Sequence, residues 1–451
     1  MAGIGWKLQR MIDHGSLAGT IAAYLTGVAV TSAPWLLTTA VLTSLRLVSR
    51  HATGDFAGVE RFLTVVYAVT VVLSAPVHVV VSRYTADRLY DHHVERIAAP
   101  LRRAAALTVT GFALIGIVLV GALRMPLALA LVGAPLTAVI GAQWLMLSVG
   151  GGMMSPVVLL RAFGVGAPMS LIGALVVERA APAAGGAGYL FGFAIGQVFT
   201  LALLVRGVAR ALPAATDESA RVWPAFIEYR LLAWSAFAYY VSIWADKIVV
   251  YVIKGADAAA FYAAIAAVAW FSVIPAFAWI YVQVETAFYQ RFRSFYAELE
   301  AGASLRELKQ YAERISDEAK RILRGAVAVQ VGATTLVIAA APRIVHAVGL
   351  SPDAGPLFRL AAMGAGLQVF ALLEVLLLTY FDLRRDAFVI CTCLLVGVTA
   401  LTSICAAIGW PPVVGHLVAC AITALLGLGL VRRRLQTLVL DTFQSQPFGV
   451  A

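Results

Sequence analysis

Residues 104–123 read AAALTVTGFALIGIVLVGAL, an uncharged stretch that follows Arg102 and Arg103 and precedes Arg124. A helix of about 20 apolar residues spans the ~30 Å hydrocarbon layer of a bilayer, so this stretch has the length and composition of a transmembrane helix. Similar stretches recur along the 451 residues, of which 61% are hydrophobic and 13% are charged. A soluble protein could not bury so much apolar surface. The sequence therefore predicts an all-α polytopic membrane protein.

The apolar stretches predict about twelve transmembrane helices. They lie at residues 17–45, 62–82, 104–123, 127–160, 163–177, 187–205, 231–253, 258–282, 325–341, 357–379, 386–408 and 412–430. The fourth stretch is too long for one crossing and the fifth is short. The boundary between them, near Gly150 and Pro156, therefore stays open at this stage.

Lys and Arg residues are divided unevenly between the two sides that these spans define. With the N-terminus in the cytoplasm, 25 of the 34 Lys and Arg residues fall on the cytoplasmic side and 8 on the other, and Lys247 lies within a span. Such an excess marks the cytoplasmic side. We predict a multi-pass membrane protein with both termini cytoplasmic. The net charge of +10 then reflects basic loops that contact anionic lipid headgroups, and nucleic acid is not expected as a partner.

A polar segment with two prolines, residues 206–230, separates six predicted spans from six. We predict an N-terminal six-helix bundle at 1–205, a cytoplasmic linker at 206–230 and a C-terminal six-helix bundle at 231–451. Two halves of similar size are typical of a duplicated transporter fold, with a pathway between the halves near the middle of the membrane.

The longest segment between spans, residues 283–324, is predicted to form an amphipathic helix pair at the cytoplasmic face of the membrane. Ser304 and Glu307 form a capping box that starts the second helix. Apolar residues recur at helical spacing on both sides of it. The apolar face suits either the lipid headgroup region or a cytoplasmic partner. The candidates for partner docking are Phe288, Phe292, Leu308 and Ile315.

Charged residues inside the predicted spans are rare, and their cost in a bilayer makes them candidates for a functional site. Asp246 and Lys247 are neighbours in the seventh span, where consecutive residues point about 100° apart. We therefore expect them to project from different stripes, beside aromatic residues that suit the faces of sugar rings. The candidates for lining a transport cavity are Asp246, Lys247, Trp244, Tyr240, Tyr239 and Glu374.

Alternatives remain for each of these candidates. The residues of the seventh span could instead form an aromatic belt with a structural ion pair. Glu374 could reach the inner interface, bond between helices, or couple transport to an ion. Arg83 and Asp87, spaced to pair on one helix face, are candidates for an inner gate or for a positively charged anchor.

The sequence contains no recognisable catalytic, metal-binding or cofactor-binding motif. His78, His346 and His416 are isolated, with no H-x-x-x-H or D-x-D pairing. All four cysteines, which lie between 391 and 420, are expected to be buried apolar thiols. We therefore predict a protein that is not an enzyme and that needs no cofactor or metal.

Four stretches resemble the PelG family of inner-membrane transporters of the Pel exopolysaccharide system. They are MAGIGWKL at 1–8, SRYTADRLY at 82–90, IWADK at 243–247 and ETAFYQRFRSFY at 285–296, and the resemblance extends over essentially the whole chain. The first stretch departs at Trp6, where we expect phenylalanine in the family.

The resemblance implies a flippase of the multidrug/oligosaccharidyl-lipid/polysaccharide superfamily, with two MATE-like six-helix bundles around a central cavity. It implies export of an amino-sugar polymer by alternating access or channel-like passage. It also implies two kinds of partner, a cytoplasmic glycosyltransferase and membrane subunits of a Pel-type synthase complex that include a cyclic-di-GMP receptor.

Other functions stay open. A cation-coupled exporter of drugs or of lipid-linked oligosaccharides would have a similar fold and should gather several carboxylates. A membrane-embedded acyltransferase or sugar ligase would need a base or a metal at the membrane face. A scaffold subunit would have no pathway of its own.

Overall fold

The structure, a computed structural model, describes residues 4–13, 16–49, 56–153, 156–212 and 217–445. The described residues are almost entirely helical and include no β-strand. This agrees with the prediction of an all-α membrane protein, because only helices satisfy every backbone hydrogen bond within an isolated span. The two chain ends, whose location was predicted from charge, lie outside the described residues.

The first half of the chain contains helices α1 to α8. Their bounds are α1 (Ile4–Asp13), α2 (Leu17–Ser49), α3 (Phe56–Tyr90), α4 (Ala98–Ala122), α5 (Leu127–Met153), α6 (Pro156–Ala180), α7 (Gly185–Ala211) and the short α8 (Trp223–Glu228). The second half contains α9 (Arg230–Lys254), α10 (Ala256–Ala269), α11 (Ile274–Gln283), α12 (Tyr289–Glu300), α13 (Leu305–Ala347), α14 (Ala354–Tyr380), α15 (Arg384–Ala407) and α16 (Pro412–Ser445).

Eleven helical segments in the described residues are long and apolar enough to cross a membrane. The two parts of α2, Leu17–Ser32 and Trp35–Leu45, differ in direction by 65° and make a twelfth span if they are counted together. The uncertain boundary between the fourth and fifth spans is resolved by α5, which ends at Met153, and α6, which begins at Pro156. The predicted fourth span was therefore too long, because its last residues belong to the next helix.

The chain forms two compact units whose limits differ from the predicted bundles. One unit contains residues 29–240, and the other contains residues 5–28 together with 241–451. The second unit gains residues 5–28 through contacts such as the 2.7 Å hydrogen bond that Gln283 donates to the Tyr24 hydroxyl. Packing of this kind joins residues distant in sequence, which a division by span count does not register. α9 contributes residues to both units.

Each unit has its own apolar core. In residues 29–240, one cluster of buried side chains gathers around Phe62, Tyr189 and Phe193. In the second unit, a large cluster extends from Val273 to Leu438 and includes residues of α13 and α14. These cores hold the helices that carry the buried polar groups described below.

The segment 283–324 is helical on both sides of a tight turn. Residues Ala256–Glu300 form one continuous helical segment, with a π-helical turn at Val284–Phe288. α13 is a single helix of 43 residues that starts at the predicted capping box. Ser304 N donates to Glu307 Oε2 at 2.9 Å, and Ser304 Oγ accepts from Glu307 N at 3.4 Å. A helix of 43 residues is about 65 Å long, so α13 exceeds the ~30 Å needed for one crossing.

Candidate functional site: a buried charge cluster on α9

Asp246 is the centre of a polar cluster in an otherwise apolar part of the second unit. Its side chain is 1% exposed. Tyr262 of α10 donates its hydroxyl to Asp246 Oδ2 at 2.8 Å, and the backbone N–H of Lys247 donates to Oδ1 at 3.0 Å. A carboxylate removed from water needs such donors, because each missing hydrogen bond costs free energy.

Lys247 supplies the counter-charge of Asp246. Its ammonium lies 2.9 Å from Asp246 Oδ1 and also donates to the carbonyl oxygen of Ile243 at 2.8 Å. The expectation that the two side chains project from different stripes is therefore wrong for their charged ends. Their Cα–Cβ bonds diverge, but the flexible four-carbon stem of lysine brings the ammonium back to the neighbouring carboxylate.

His416 of α16 completes the cluster. Its Nδ1 lies 3.7 Å from Asp246 Oδ2, which is too long for a hydrogen bond, and its Nε2 lies 3.6 Å from the Cys420 sulfur. Both His416 and Tyr262 are buried. α14 approaches closely at Gly364, where a Cβ atom would lie 2.8 Å from His416 Cδ2. The cluster thus combines an acid, a cation, a hydroxyl and an imidazole.

The aromatic candidates of α9 lie in the half of the helix that precedes Asp246. Tyr239 is buried, whereas Tyr240 and Trp244 are half-buried. Tyr240 makes an edge-to-face contact with His78 of α3, with ring centroids 5.9 Å apart, and a similar contact with Tyr239 at 5.8 Å. The structure therefore places Tyr239, Tyr240 and His78 in one aromatic group within residues 29–240.

Glu374 is not part of the Asp246 cluster. It lies on α14, is 2% exposed, and its Oε2 has no hydrogen-bond partner among the described residues. The carboxylate packs against α16 at Gly427, where a Cβ atom would lie 1.9 Å from Oε2. The glycine thus provides the space that the carboxylate occupies. An ionised carboxylate without a donor is costly in an apolar interior.

The predicted pair of Arg83 and Asp87 is present on α3. Arg83 Nε lies 3.1 Å from Asp87 Oδ1. Tyr229, between α8 and α9, donates its hydroxyl to Asp87 Oδ2 at 2.5 Å, and the Arg83 guanidinium lies 6.0 Å from the Tyr229 ring. Burial and the Asp87 carboxylate raise the pKa of Tyr229 above its ordinary value, which keeps its hydroxyl a donor. The group joins the end of α3 to the start of α9, and a gating role stays a prediction.

The described end of the linker, residues 217–222, is attached to α4 and the turn before it. Arg103 donates to the carbonyl oxygens of Glu218 and Ala220 at 2.6 and 2.8 Å, and Arg102 pairs with the Glu218 carboxylate. Asp217 accepts two hydrogen bonds from Ser219, which lower the pKa of its carboxyl. The arginines at the start of α4 therefore bind this part of the linker as well as marking a membrane boundary.

The docking candidates form the packed interior of the helix pair. Phe288, Leu308 and Ile315 are at most 2% exposed and belong to the large apolar cluster, and Phe292 packs against it. Phe288 and Phe292 meet Tyr380 of α14 with ring centroids 5.3 and 5.6 Å apart. Phe288, Leu308 and Ile315 are covered by the protein itself and offer no surface to a partner, whereas Phe292 is half-buried. The helical spacing of these apolar residues in the sequence predicts the face of the helix pair that packs on α14.

Sequence reasoning missed three buried polar residues. His416 was treated as isolated, although an imidazole within an apolar span was itself a signal. Tyr262 had no signal, because its partner Asp246 lies on another helix. Glu285 was assigned to the segment outside the membrane, but it is 8% exposed and lies within the π-helical turn. π-Helical turns are frequent at functional sites, and this one coincides with the stretch ETAFY.

The buried carboxylates do not assemble into a metal site. Among the described residues, no group of three or more His, Cys, Asp and Glu side chains could hold a metal ion. The thiols of Cys391, Cys405 and Cys420 are free and buried, and that of Cys393 is half-buried. The cluster around Asp246 therefore provides fixed charges and hydrogen-bonding groups.

Comparison with protein families gives one match along nearly the whole chain. The profile of PelG, described as "Putative exopolysaccharide Exporter (EPS-E)", matches residues 1–443. A comparison with curated proteins gave no match.

Comparison with solved structures gives several similar folds. A multidrug resistance MATE family transporter of the MOP superfamily, in an outward-facing conformation, is 12% identical, with a TM-score of 0.71 and 97% of each chain covered. A MOP superfamily transporter from Pyrococcus furiosus is 13% identical, with a TM-score of 0.69 over 92% of this chain and 95% of that one. An inward-facing MATE family transporter is 10% identical, with a TM-score of 0.62 over 92% and 95%. At these identities the likeness establishes the fold.

Proposed function

Because the chain belongs to the PelG family of exopolysaccharide exporters, we propose that it moves an amino-sugar polymer from the cytoplasm to the periplasm across the bacterial inner membrane. The family match over residues 1–443 is the observation that carries this proposal. The fold of a MOP superfamily transporter supports membrane transport as the general activity. The chemical class of the polymer, the direction of transport and the identity of the membrane are our proposals.

The path that we propose follows α9. Half-buried Tyr240 and Trp244 offer ring faces and polar tips, which suit the apolar faces and hydroxyl groups of sugars. Asp246 and Lys247 lie less than one helical turn beyond Trp244 and about two turns beyond Tyr240 on the same helix. Their charges would attract water and the ionisable groups of an amino-sugar chain. Passage takes place by alternating access or by channel-like movement of the growing polymer.

The test uses cells that make the polymer and lack their own exporter. Trp244→Ala should reduce secretion strongly at an unchanged protein level, since it removes a stacking surface. Trp234→Ala is the matched control, because Trp234 lies on the same helix but is 42% exposed. Equal secretion by the two variants would contradict the path along α9. Binding of the purified protein to an amino-sugar oligosaccharide, and not to a neutral glucose oligosaccharide, would support the polymer class.

The partners that we propose are the glycosyltransferase that makes the polymer and membrane subunits of a Pel-type synthase complex. A cytoplasmic partner would dock on the exposed face of the α12–α13 pair, because the apolar face packs inside the protein. This face carries charges of both signs, including Lys309, Glu313 and Asp317, all of them exposed. Polar rims of this kind determine orientation and specificity in protein interfaces.

A cation-coupled exporter is the second candidate, and Glu374 is the observation that favours it. A carboxylate buried without a donor is a place where a proton or a monovalent cation would bind. The Asp246 carboxylate is less suited, since Lys247 and Tyr262 already occupy both of its oxygens. If Glu374 couples transport to a cation gradient, Glu374→Gln should abolish dependence of export on that gradient. Unchanged dependence would remove this candidate.

A further inference from the structure

A groove between α13 and α16 lies apart from the α9 cluster, within the second unit. Its cavity volume is about 470 Å³. This falls within the ~300–1,000 Å³ that is typical of pockets for small ligands. Its lining includes three basic side chains, four apolar side chains and the polar side chains of Ser316 and Gln436. The residues that matter for the argument are Lys320, Arg324 and Arg432 on the rim and Leu323, Leu428 and Val431 in the wall.

The groove lies at the level where both helices change from apolar to charged. On α13 the charged sequence ends at Arg324, and an uncharged stretch begins at Gly325. On α16 the uncharged stretch ends at Val431, and three arginines follow it. A transition of this kind marks the boundary between the hydrocarbon layer and the headgroup region of a bilayer. The groove therefore faces both environments at once.

Two of the basic side chains have no acidic partner. Lys320 is paired with Asp317 at 3.0 Å, and neighbouring Arg434 is held by Asp386 at 2.5 Å. Arg324 and Arg432 make no ion pair with any described residue and are exposed. Two arginines whose charge is not compensated within the protein, next to an apolar wall, are complementary to a ligand that has an anionic head and an apolar tail.

We propose that this groove binds one anionic phospholipid, with its phosphate held by Arg324 and Arg432 and an acyl chain along Leu428 and Val431. Leu428 is 46% exposed and lies on the apolar side of Arg432, where a chain that leaves the groove would meet it. A soluble phosphate would use the arginines but gain nothing from this wall. Basic pockets between membrane helices bind lipid headgroups for the same reasons. A bound lipid would connect α13 to α16 at the membrane boundary.

The test measures binding of short-chain lipids to the purified full-length protein in a neutral detergent, by native mass spectrometry. Dihexanoyl phosphatidylglycerol should bind at one saturable site, and dihexanoyl phosphatidylcholine should not. Each basic side chain near an anionic lipid contributes about a fivefold preference, so Arg324→Gln with Arg432→Gln should weaken binding of phosphatidylglycerol roughly 30-fold. The matched control is Arg306→Gln with Arg433→Gln, which removes the same charge from α13 and α16 outside the groove and should bind like the unaltered protein.

Two further measurements make the result decisive. Leu428→Glu places a carboxylate in the proposed path of the acyl chain and should also weaken phosphatidylglycerol binding. The side chain is 46% exposed and not packed in a core, so the variant should still fold, which its melting transition checks. Glycerol 3-phosphate, which has the head without the chains, should compete only weakly. The proposal is overturned if both double variants bind phosphatidylglycerol alike, if the two lipids bind equally, or if glycerol 3-phosphate competes as well as the lipid.

Discussion

Lys247 and Asp246 are consecutive residues of α9, yet the ammonium of one lies 2.9 Å from the carboxylate of the other. Asp246 is 1% exposed and the Lys247 side chain 14%. The pair neutralises both charges locally, which lowers the cost of placing them in an apolar helix. With Tyr262 and His416 nearby, the pair forms a buried polar cluster in the second unit.

The first prediction separates a structural pair from a transport pair. Asp246→Asn alone leaves the Lys247 ammonium without its counter-charge, and breaking a buried pair in this way costs about 3–5 kcal/mol. We expect a lower melting midpoint and less protein in the membrane. Asp246→Asn with Lys247→Gln leaves no lone charge, and its melting midpoint should be close to that of the unaltered protein. We expect this stable double variant to be defective in polymer export. Normal secretion from it would mean that the pair serves stability alone.

The second prediction concerns the space that Gly427 leaves for Glu374. Gly427→Ala would place a methyl group 1.9 Å from the present position of Glu374 Oε2, so the carboxylate must move. Overpacking of this kind costs about 1–3 kcal/mol. Gly429→Ala is the control on the same helix, because nothing lies within 4 Å of its Cβ position. We expect a lower melting midpoint for the first variant only.

A double variant shows whether the effect of Gly427→Ala acts through Glu374. In a chain that already carries Glu374→Ala, the change at Gly427 should cost little, because the carboxylate that it displaces is absent. The interaction free energy of the cycle should then be about 1 kcal/mol or more. Additive effects of the two changes would indicate that the methyl group strains another contact.

The third prediction concerns the α12–α13 pair. Leu308→Glu places a carboxylate in a side-chain position that is 2% exposed, which should destabilise the protein by several kcal/mol and lower its level. Lys309→Glu, at the next and exposed position, should leave the level unchanged but weaken co-purification of a partner that docks on the charged face. Co-purification that survives Lys309→Glu and the same change at Arg306 would remove this face as the docking surface.

The fourth prediction tests orientation. A reporter that is active only in the cytoplasm should be active when inserted in the turn between α12 and α13, at Gly302. The same reporter at Asp353, before α14, should be inactive, because α13 crosses the membrane between the two sites. Activity at both sites would contradict the assignment of α13 as a span, and the reverse pattern would contradict the orientation that was predicted from charge.

Those features of the fold that depend on local composition could be predicted from the sequence. Residues 104–122 of the uncharged stretch lie within α4, and the capping box at Ser304 starts α13 as expected. The boundary between α5 and α6 could not be placed, because apolar residues continue through it and hydropathy alone does not register a break between two helices. Residues 5–28 belong to the second unit because they contact α11. Contacts between residues so far apart in the sequence could not be predicted from local composition.

The candidate site could be predicted only in part, because it depends on contacts between helices. Asp246 and Lys247 were identifiable as rare charges in an apolar span, but their partners Tyr262 and His416 lie on helices whose packing one sequence does not reveal. The periodicity of Leu308 and Ile315 correctly predicted an apolar face. Periodicity does not identify what covers such a face, and here the cover is the protein's own core.

The most direct test of the central claim locates the polymer relative to the inner membrane. Spheroplasts of cells that make the polymer are treated with a polymer-degrading glycoside hydrolase that cannot cross the membrane, and the protected polymer is measured. With the unaltered protein we predict that nearly all of the polymer is degraded, because it has been exported. Without the protein, or with the double variant at Asp246 and Lys247, we predict protected polymer inside the cell. Complete degradation in cells that lack the protein would contradict its role as the exporter.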